Sequence, residues 1–336
     1  MKHQILALAV AALSFTACSN EDNISQDYLA DTPIKLNVSV DEPTTRAGYS
    51  NDDKPTGFVL VVQPSDNEND KYNYEVWAEW EDKNWKTYKL NQYYDYTTGK
   101  VTGIKEEVTM LWANMKDNVT VLAISDVDYL EKIDKHPTDQ TTPDALKKAD
   151  FLAMPITKVK PTQSGINVEF KHTMSKINLT IELGSEYEFT ADVDKKITDV
   201  KIDGSKIKAS WAFNPSTDGP QFNFDNHSGD PTPITPYYTG ATPYSKTNGV
   251  ITKASATYEA ILIPQTIASG KFTVSFKVEG KLYEWAYNNE AGLTLAPNTA
   301  YTLKLIAGDD KVQPASFSVA AWNPGNGENG EEKETD

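Results

Sequence analysis

The sequence is poor in the residues that most metal and thiol sites need. It has one cysteine and four histidines, His3, His136, His172 and His227, among 336 residues. A single cysteine forms no intramolecular disulfide. Histidines this far apart, none beside a second ligand, exclude a zinc site of the usual Cys/His spacing. Cations are outnumbered, with 32 Lys+Arg against 48 Asp+Glu and a net charge of −16. That balance works against non-specific nucleic-acid binding, which needs clustered cations on phosphates. No phosphate loop, dinucleotide fingerprint or nucleophile elbow occurs, and no cofactor is implied. Helical periodicity is scarce, and its best example is the short run from Pro143 to Ala149. What is present is a globular composition, 39% hydrophobic and 24% charged, in which alternating apolar residues dominate.

Met1 and Lys2 precede an apolar run from Ile5 to Ala17. It is shorter than the roughly 20 residues a spanning helix needs and fits the apolar region of a secretory signal. The run ends Phe15-Thr16-Ala17-Cys18. Small residues before a lone cysteine resemble a bacterial lipoprotein cleavage box, with Phe15 where leucine is commonest. The resemblance implies a signal peptide over residues 1–17 and acylation, palmitate included, of Cys18. More than one acyl chain is needed for stable anchoring. Glu21 and Asp22 then resemble the surface-export signal of Bacteroidetes lipoproteins.

The remainder reads as β. Period-2 alternation recurs at Ile34/Leu36/Val38/Val40, Ile166/Val168/Phe170, Ile177/Leu179/Ile181/Leu183, Phe272/Val274/Phe276/Val278, Tyr301/Leu303/Leu305 and Phe317/Val319/Ala321. That period places one set of side chains on a buried face. Turn residues separate the runs: Asn248-Gly249, Glu279-Gly280 and Pro297-Asn298, each suited to a tight reversal. Many short strands with 18 Gly and 18 Pro predict β-sandwiches and not a sheet with crossover helices. The length exceeds one seven-stranded sandwich of about 100 residues, so two in tandem are expected. The boundary is expected near 184–194, which gives sandwiches over 47–184 and 185–322.

Several landmarks occur in order. They are Arg46-Ala47 after a first strand, the strand Val119–Ile124, Asp150-Phe151-Leu152-Ala153, and Val168 to Ile177 around His172. Ile263-Pro264-Gln265-Thr266, Leu295 to Tyr301, and a closing Val319-Ala320-Ala321-Trp322 follow. Behind a lipoprotein signal, this series resembles the fimbrillin family of Bacteroidetes, the building blocks of type V pili, over most of residues 18–322. The resemblance implies two transthyretin-like β-sandwich domains and export to the outer membrane as a surface lipoprotein. It also implies proteolysis after an arginine and polymerisation with other pilus subunits by strand exchange, without catalysis.

That mechanism has a physical counterpart in the lipidated leader, residues 18–46. Ile34, Leu36, Val38 and Val40 point to one face. At roughly 1.5–3 kcal/mol per fully buried side chain, they would contribute on the order of 6–12 kcal/mol before entropy is subtracted. Arg46 follows in a polar stretch suited to an exposed, cleavable loop, so cleavage between Arg46 and Ala47 would leave this strand displaceable. Its loss would open a template for another chain's strand. Beyond Trp322, residues 323–336 contain no apolar side chain that could fill a groove and are expected to be a solvated acidic tail. An accessory or terminal subunit is therefore expected, not a repeating stalk unit. The alternative is a stand-alone surface lipoprotein that binds glycans or host proteins without polymerising.

Other segments are weighed against plainer uses. Trp77 and Trp80 lie in an aromatic-rich stretch, residues 72–96, and stacking on sugar rings is one use for them. Pairing across a hairpin with Glu81-Asp82-Lys83-Asn84 at its turn is the other. Tyr237 and Tyr238 lie in a Pro/Tyr run, residues 230–244, expected to form a long loop. Asp66-Asn67-Glu68-Asn69-Asp70 has the alternation of a Ca²⁺ loop but lacks its glycine and closing glutamate, so it reads as a turn. His172 reads as a structural hydrogen-bonding residue.

Overall fold

The computed structural model describes residues 30–40, 49–50, 53–64, 70–114, 116–126, 130, 132–213, 222–308 and 311–322. The expected signal peptide over residues 1–17, Cys18, Arg46, Ala47, residues 65–69 and residues 323–336 lie outside the described residues.

The first part of the chain supplies β1 (Leu36–Val40), β2 (Gly57–Pro64), β3 (Tyr74–Glu81), β4 (Asn84–Lys89), β5 (Tyr94–Asp95), β6 (Lys100–Val101), β7 (Val119–Ile124), β8 (Lys132–Ile133), β9 (Leu152–Val159) and β10 (Ile166–His172). The second supplies β11 (Ser175–Leu183), β12 (Ile197–Asp203), β13 (Lys208–Phe213), β14 (Phe222–Ser228), β15 (Tyr237–Thr242), β16 (Ser245–Thr247) and β17 (Val250–Thr252). It continues with β18 (Ser255–Leu262), β19 (Gln265–Ile267), β20 (Thr273–Val278), β21 (Lys281–Ala286), β22 (Leu293–Leu295), β23 (Thr299–Ala307) and β24 (Val312–Ala321).

Seven strands form one sheet in the order β1-β10-β9-β7-β2-β3-β4. The sheet closes over its own apolar face. Phe58 on β2 meets Phe170 on β10 with ring centroids 5.3 Å apart, although three strand spacings separate them along the ladder. Strands about 4.8 Å apart in a flat sheet would hold these rings well beyond contact, so the sheet curls into a sandwich around them. Val38, Val40, Leu60, Val76, Val121, Trp112 and Val168 share that core.

A five-stranded sheet, β15-β18-β11-β23-β24, faces the three-stranded β12-β20-β21. Ile177, Leu179, Ile181, Val274, Phe276 and Leu303 fill the space between them. The outer face of the five-stranded sheet packs through Ile261 and Ile263 into a third cluster with Val59, Leu122, Phe151, Met174 and Trp322. The fold is thus an all-β sandwich architecture with little helix. The helix Pro143–Ala149 forms as its sequence predicts, with Thr142 accepting from the Ala145 amide as N-cap and proline in its first turn.

Two features differ from the sequence reading. The first sandwich was expected to run to 184, yet β11 lies in the middle of the second sheet, antiparallel to β18 and parallel to β23. The chain changes sheet at Thr173–Met174, between β10 and β11. Apolar alternation continues on both sides of that step, so periodicity alone does not show it. The Pro/Tyr run 230–244 is also not a loop throughout. Its proline-free centre is β15, which pairs with β18 through Tyr237↔Glu259 and Tyr238↔Tyr258. The expected reversals do form. Asp82-Lys83, Asn248-Gly249 and Glu279-Gly280 all take positive φ between antiparallel strands, the geometry of primed hairpin turns.

Candidate functional site

The leader strand occupies a defined seat. β1 runs parallel to β10 with Leu36↔Ile166, Val38↔Val168 and Val40↔Phe170 in register. Just before it, the chain pairs on its other side. The Asp31 amide donates to the Trp112 carbonyl, the Trp112 amide to Thr32, and the Ile34 amide to Met110. Residues 31–40 therefore bridge the 110–112 segment and β10. Asn37 adds side-chain bonds to the Ser164 carbonyl and to Asn167, each at 3.0 Å.

All four predicted side chains face the core, but to different depths. Val38 (9% exposed) and Val40 (1%) are buried, whereas Ile34 and Leu36 are half-buried against the same cluster. The apolar contribution is accordingly nearer the lower end of the expected range. Within the described residues, β1 is the only strand paired with β10 over Ile166–Phe170, because β9 pairs with β10 only at Leu152↔His172 and Ala153↔Lys171. Close approach of the leader also demands Gly165. Its φ is +89°, and a Cβ there would lie 2.2 Å from the Lys35 carbonyl oxygen, which receives the Ile166 amide at 2.8 Å.

The motif residues converge elsewhere, at the joint between the two sandwiches. His172 Nδ1 lies 2.9 Å from Asp150 Oδ1, and both side chains are wholly buried. The Tyr49 amide donates to the other Asp150 oxygen at 3.3 Å. Trp322 stacks on the His172 ring at 4.3 Å and 8°, and its own amide donates to Asn298. Asn298 in turn donates to the Met174 carbonyl. Lys176 sits 5.8 Å from the Trp322 ring centroid and pairs with Glu259 at 3.1 Å. Burial pushes the Lys176 ammonium down and the Glu259 carboxyl up, each opposed by attraction to the other.

Two glutamines act as strand surrogates beside this joint. Gln140 accepts from the Ile261 amide and donates to its carbonyl, both at 2.8 Å. Gln265 accepts from the Lys206 amide and donates to its carbonyl. His136, beside Gln140, also contacts the Ile261 carbonyl, and burial lowers its pKa to about 4.

An Asp–His pair suggests an oriented base, but the arrangement does not complete one. Among the described residues His172 Nε2 has no hydrogen-bond partner and no hydroxyl is presented to it, and the Trp322 ring covers one face of the imidazole. Its role is to fix the joint, as its sequence context suggested. Among the described residues, no three His, Cys, Asp or Glu side chains are grouped as metal ligands would be.

The aromatic candidates do not form one platform. Trp77 and Trp80 are three residues apart on β3 and so face opposite sides of the sheet. Trp77 stacks on Tyr93 at 4.9 Å and donates to Glu79. Trp80, 47% exposed, leans on Trp85. Tyr237 packs into the joint cluster, and Tyr238, 39% exposed, tilts against Tyr258. Trp80 and Tyr238 retain open surface, while Trp77 and Tyr237 are used in packing.

One feature of the sequence bears on the expected processing site and escaped the sequence reading: Arg46 is the only arginine in the chain, the other cations all being lysine.

Comparison with known proteins follows the same architecture. A family model described as fimbrillin-like matches residues 46–322. A candidate cell-adhesion protein of Bacteroides ovatus shares the fold at 14% identity with a TM-score of 0.51, over 86% of this chain and 97% of that one. A fimbrial protein of Bacteroides vulgatus matches at 13% identity and TM-score 0.45, covering 86% and 99%. The tip fimbrial protein Mfa3 of Porphyromonas gingivalis, truncated at its C-terminus, matches at 9% identity and TM-score 0.39, covering 80% and 95%. None of the curated proteins matches the sequence.

Proposed function

This chain belongs to the fimbrillin-like family, and from that premise we propose that it is a non-catalytic pilus subunit of the cell surface, assembled by strand exchange. In this reading the precursor is exported as an outer-membrane lipoprotein acylated at Cys18. A protease cuts between Arg46 and Ala47. The leader strand leaves its seat on β10, and a neighbouring subunit's strand takes its place.

The observation that carries the reading is the seat itself. Residues 31–40 are held by backbone pairing and one row of apolar side chains, and their strand β1 supplies the strand pairing of Ile166–Phe170 among the described residues. Any extended segment with alternating apolar residues satisfies the same demands. Two further facts support it. An arginine-specific protease meets one site in the whole chain, at Arg46. The chain just beyond that site is fastened independently of the leader, because the Tyr49 amide is bonded to Asp150, so cleavage would not detach the remainder.

The proposal includes an accessory or terminal position for the subunit. Mass spectrometry of the assembled surface protein tests the scheme. The expected mature N-terminus is Ala47, and an assembled form beginning at Cys18 overturns it. Long homopolymers formed by the processed chain alone would overturn the terminal assignment.

A further inference from the structure

β9 and β10 are consecutive strands of one hairpin, yet they separate toward their connecting loop. They pair only at Leu152↔His172 and Ala153↔Lys171. A register shift in the β7–β9 ladder between Val121 and Ala123, opposite Met154 to Thr157, accompanies the parting. The result is an open cleft of about 480 Å³ between Met154–Lys160 on one side and Gly165–Lys171 on the other. Its walls are strand edges that face each other without a ladder between them, and such edges accept an extended chain.

The charge of this cleft opposes that of the molecule. Lys158, Lys160 and Lys171 line it against one carboxylate, Glu169, in a chain of net charge −16. None of the three lysines is paired with a carboxylate among the described residues. By contrast Lys71, Lys86, Lys105, Lys277 and Lys304 each have a carboxylate partner. A cleft with two open strand edges and three unneutralised ammonium groups suits an extended acidic peptide.

We propose that this cleft binds the chain's own acidic segment, residues 323–336. That segment carries Glu328, Glu331, Glu332, Glu334 and Asp336 against Lys333, with four residues of glycine or proline and no bulky side chain. It begins beside the cleft. Trp322 stacks on His172, and the neighbouring Lys171 lines one end of the cleft. From Lys171 to Gly165 a strand covers about 20 Å. The six residues from Asn323 to Glu328 reach about the same distance when extended, so the acidic cluster arrives where Lys158 and Lys160 stand. Such a segment has no core of its own, and the cleft would provide its backbone partners and counter-charges. The site is distinct from the leader's seat, which lies on the opposite edge of β10, and the proposal does not depend on strand exchange.

Zero-length carbodiimide crosslinking of the full chain, read by peptide mass spectrometry, tests this. Crosslinks from Lys158, Lys160 or Lys171 to Glu328, Glu331 or Glu332 within the monomer band are expected. They should weaken at high salt, which screens ion pairs. They should be lost in the double variant Lys158→Glu/Lys171→Glu, whose sites are solvent-accessible, with the thermal melt as the check on folding. Adding Glu328→Lys and Glu331→Lys to that variant should restore crosslinks with the charges exchanged. Tail crosslinks spread over lysines elsewhere, or none at all, overturn the proposal. Crosslinks confined to a dimer band overturn the assignment to the chain's own tail. Faster amide exchange at residues 156–159 and at Asn167 and Glu169 when the tail glutamates are replaced by lysine is the independent expectation, and unchanged exchange contradicts it.

Discussion

The leader's seat and the joint between the sandwiches are both built around β10, and they are held by opposite means. At the seat, β1 is fixed by main-chain pairing and by Ile34, Leu36, Val38 and Val40 laid along one face. Neither contact depends on a particular side chain beyond shape and apolarity, and the Asn37 side-chain amide adds exposed bonds to the Ser164 carbonyl and Asn167. At the joint, Asp150, His172, Trp322, Lys176 and Glu259 meet in pairs that only those groups can make. A strand seat tolerates replacement of its occupant, whereas buried charges tolerate no loss of a partner. The proposed strand exchange would need both: one generic position and a frame that keeps its shape while that position is vacated.

The sharpest way to break this comparison is at the joint. Lys176→Met leaves Glu259 buried and uncompensated, and urea unfolding should show a loss of about 3–5 kcal/mol. Lys176→Met combined with Glu259→Leu should recover most of it, and a double variant as weak as the single one would deny that the pair matters as a pair. Next comes pH. The unfolded chain takes up a proton on His136 near pH 6.5, but the folded chain does so only near pH 4. Between these values the unfolded state binds more protons, so stability is fully present above pH 6.5 and falls as pH drops toward 4. That difference corresponds to a loss of about 3 kcal/mol. Gln at position 136 should flatten that portion of the stability–pH curve.

Smaller effects probe the seat. Gly165→Ala sets a Cβ against the Lys35 carbonyl at a positive φ and should cost about 1–3 kcal/mol. Because the clash is with the leader, exchange of the Asn37 and Ser39 amides, which face β10 in the parallel ladder, should accelerate while the joint is unaffected. Equal acceleration at Ile177 and Leu179 would merge the two regions into one. Trp80→Ala, on the exposed face, should change stability by no more than about 0.5 kcal/mol.

The strands were legible because burial on one face writes itself as alternation. Leu36/Val38/Val40 and Ile166/Val168/Phe170 were read as strands, and their pairing with each other, a parallel match between residues 130 apart in sequence, was not. The primed turns at Asn248-Gly249 and Glu279-Gly280 were legible because few residues accept positive φ there. The change of sheet at Thr173 was hidden, since inward-facing residues continue on both sides of it. The joint was legible as a set of motifs but not as a contact: nothing local to His172 announces that Asp150 holds one side of the ring and Trp322 covers a face. The opposite facing of Trp77 and Trp80 was available from their odd spacing alone.

The central claim is that the leader strand is seated but replaceable, and strand replacement after cleavage tests it most directly. The full chain is cut with an arginine-specific protease, then incubated with a synthetic peptide of residues 30–42 carrying a heavy-isotope label and followed by native mass spectrometry. The account predicts that the cut leader first remains bound, that the labelled strand then replaces it in the complex, and that the joint's amides stay protected throughout. A cut chain that unfolds as a whole, or that never takes up the labelled strand, would contradict it.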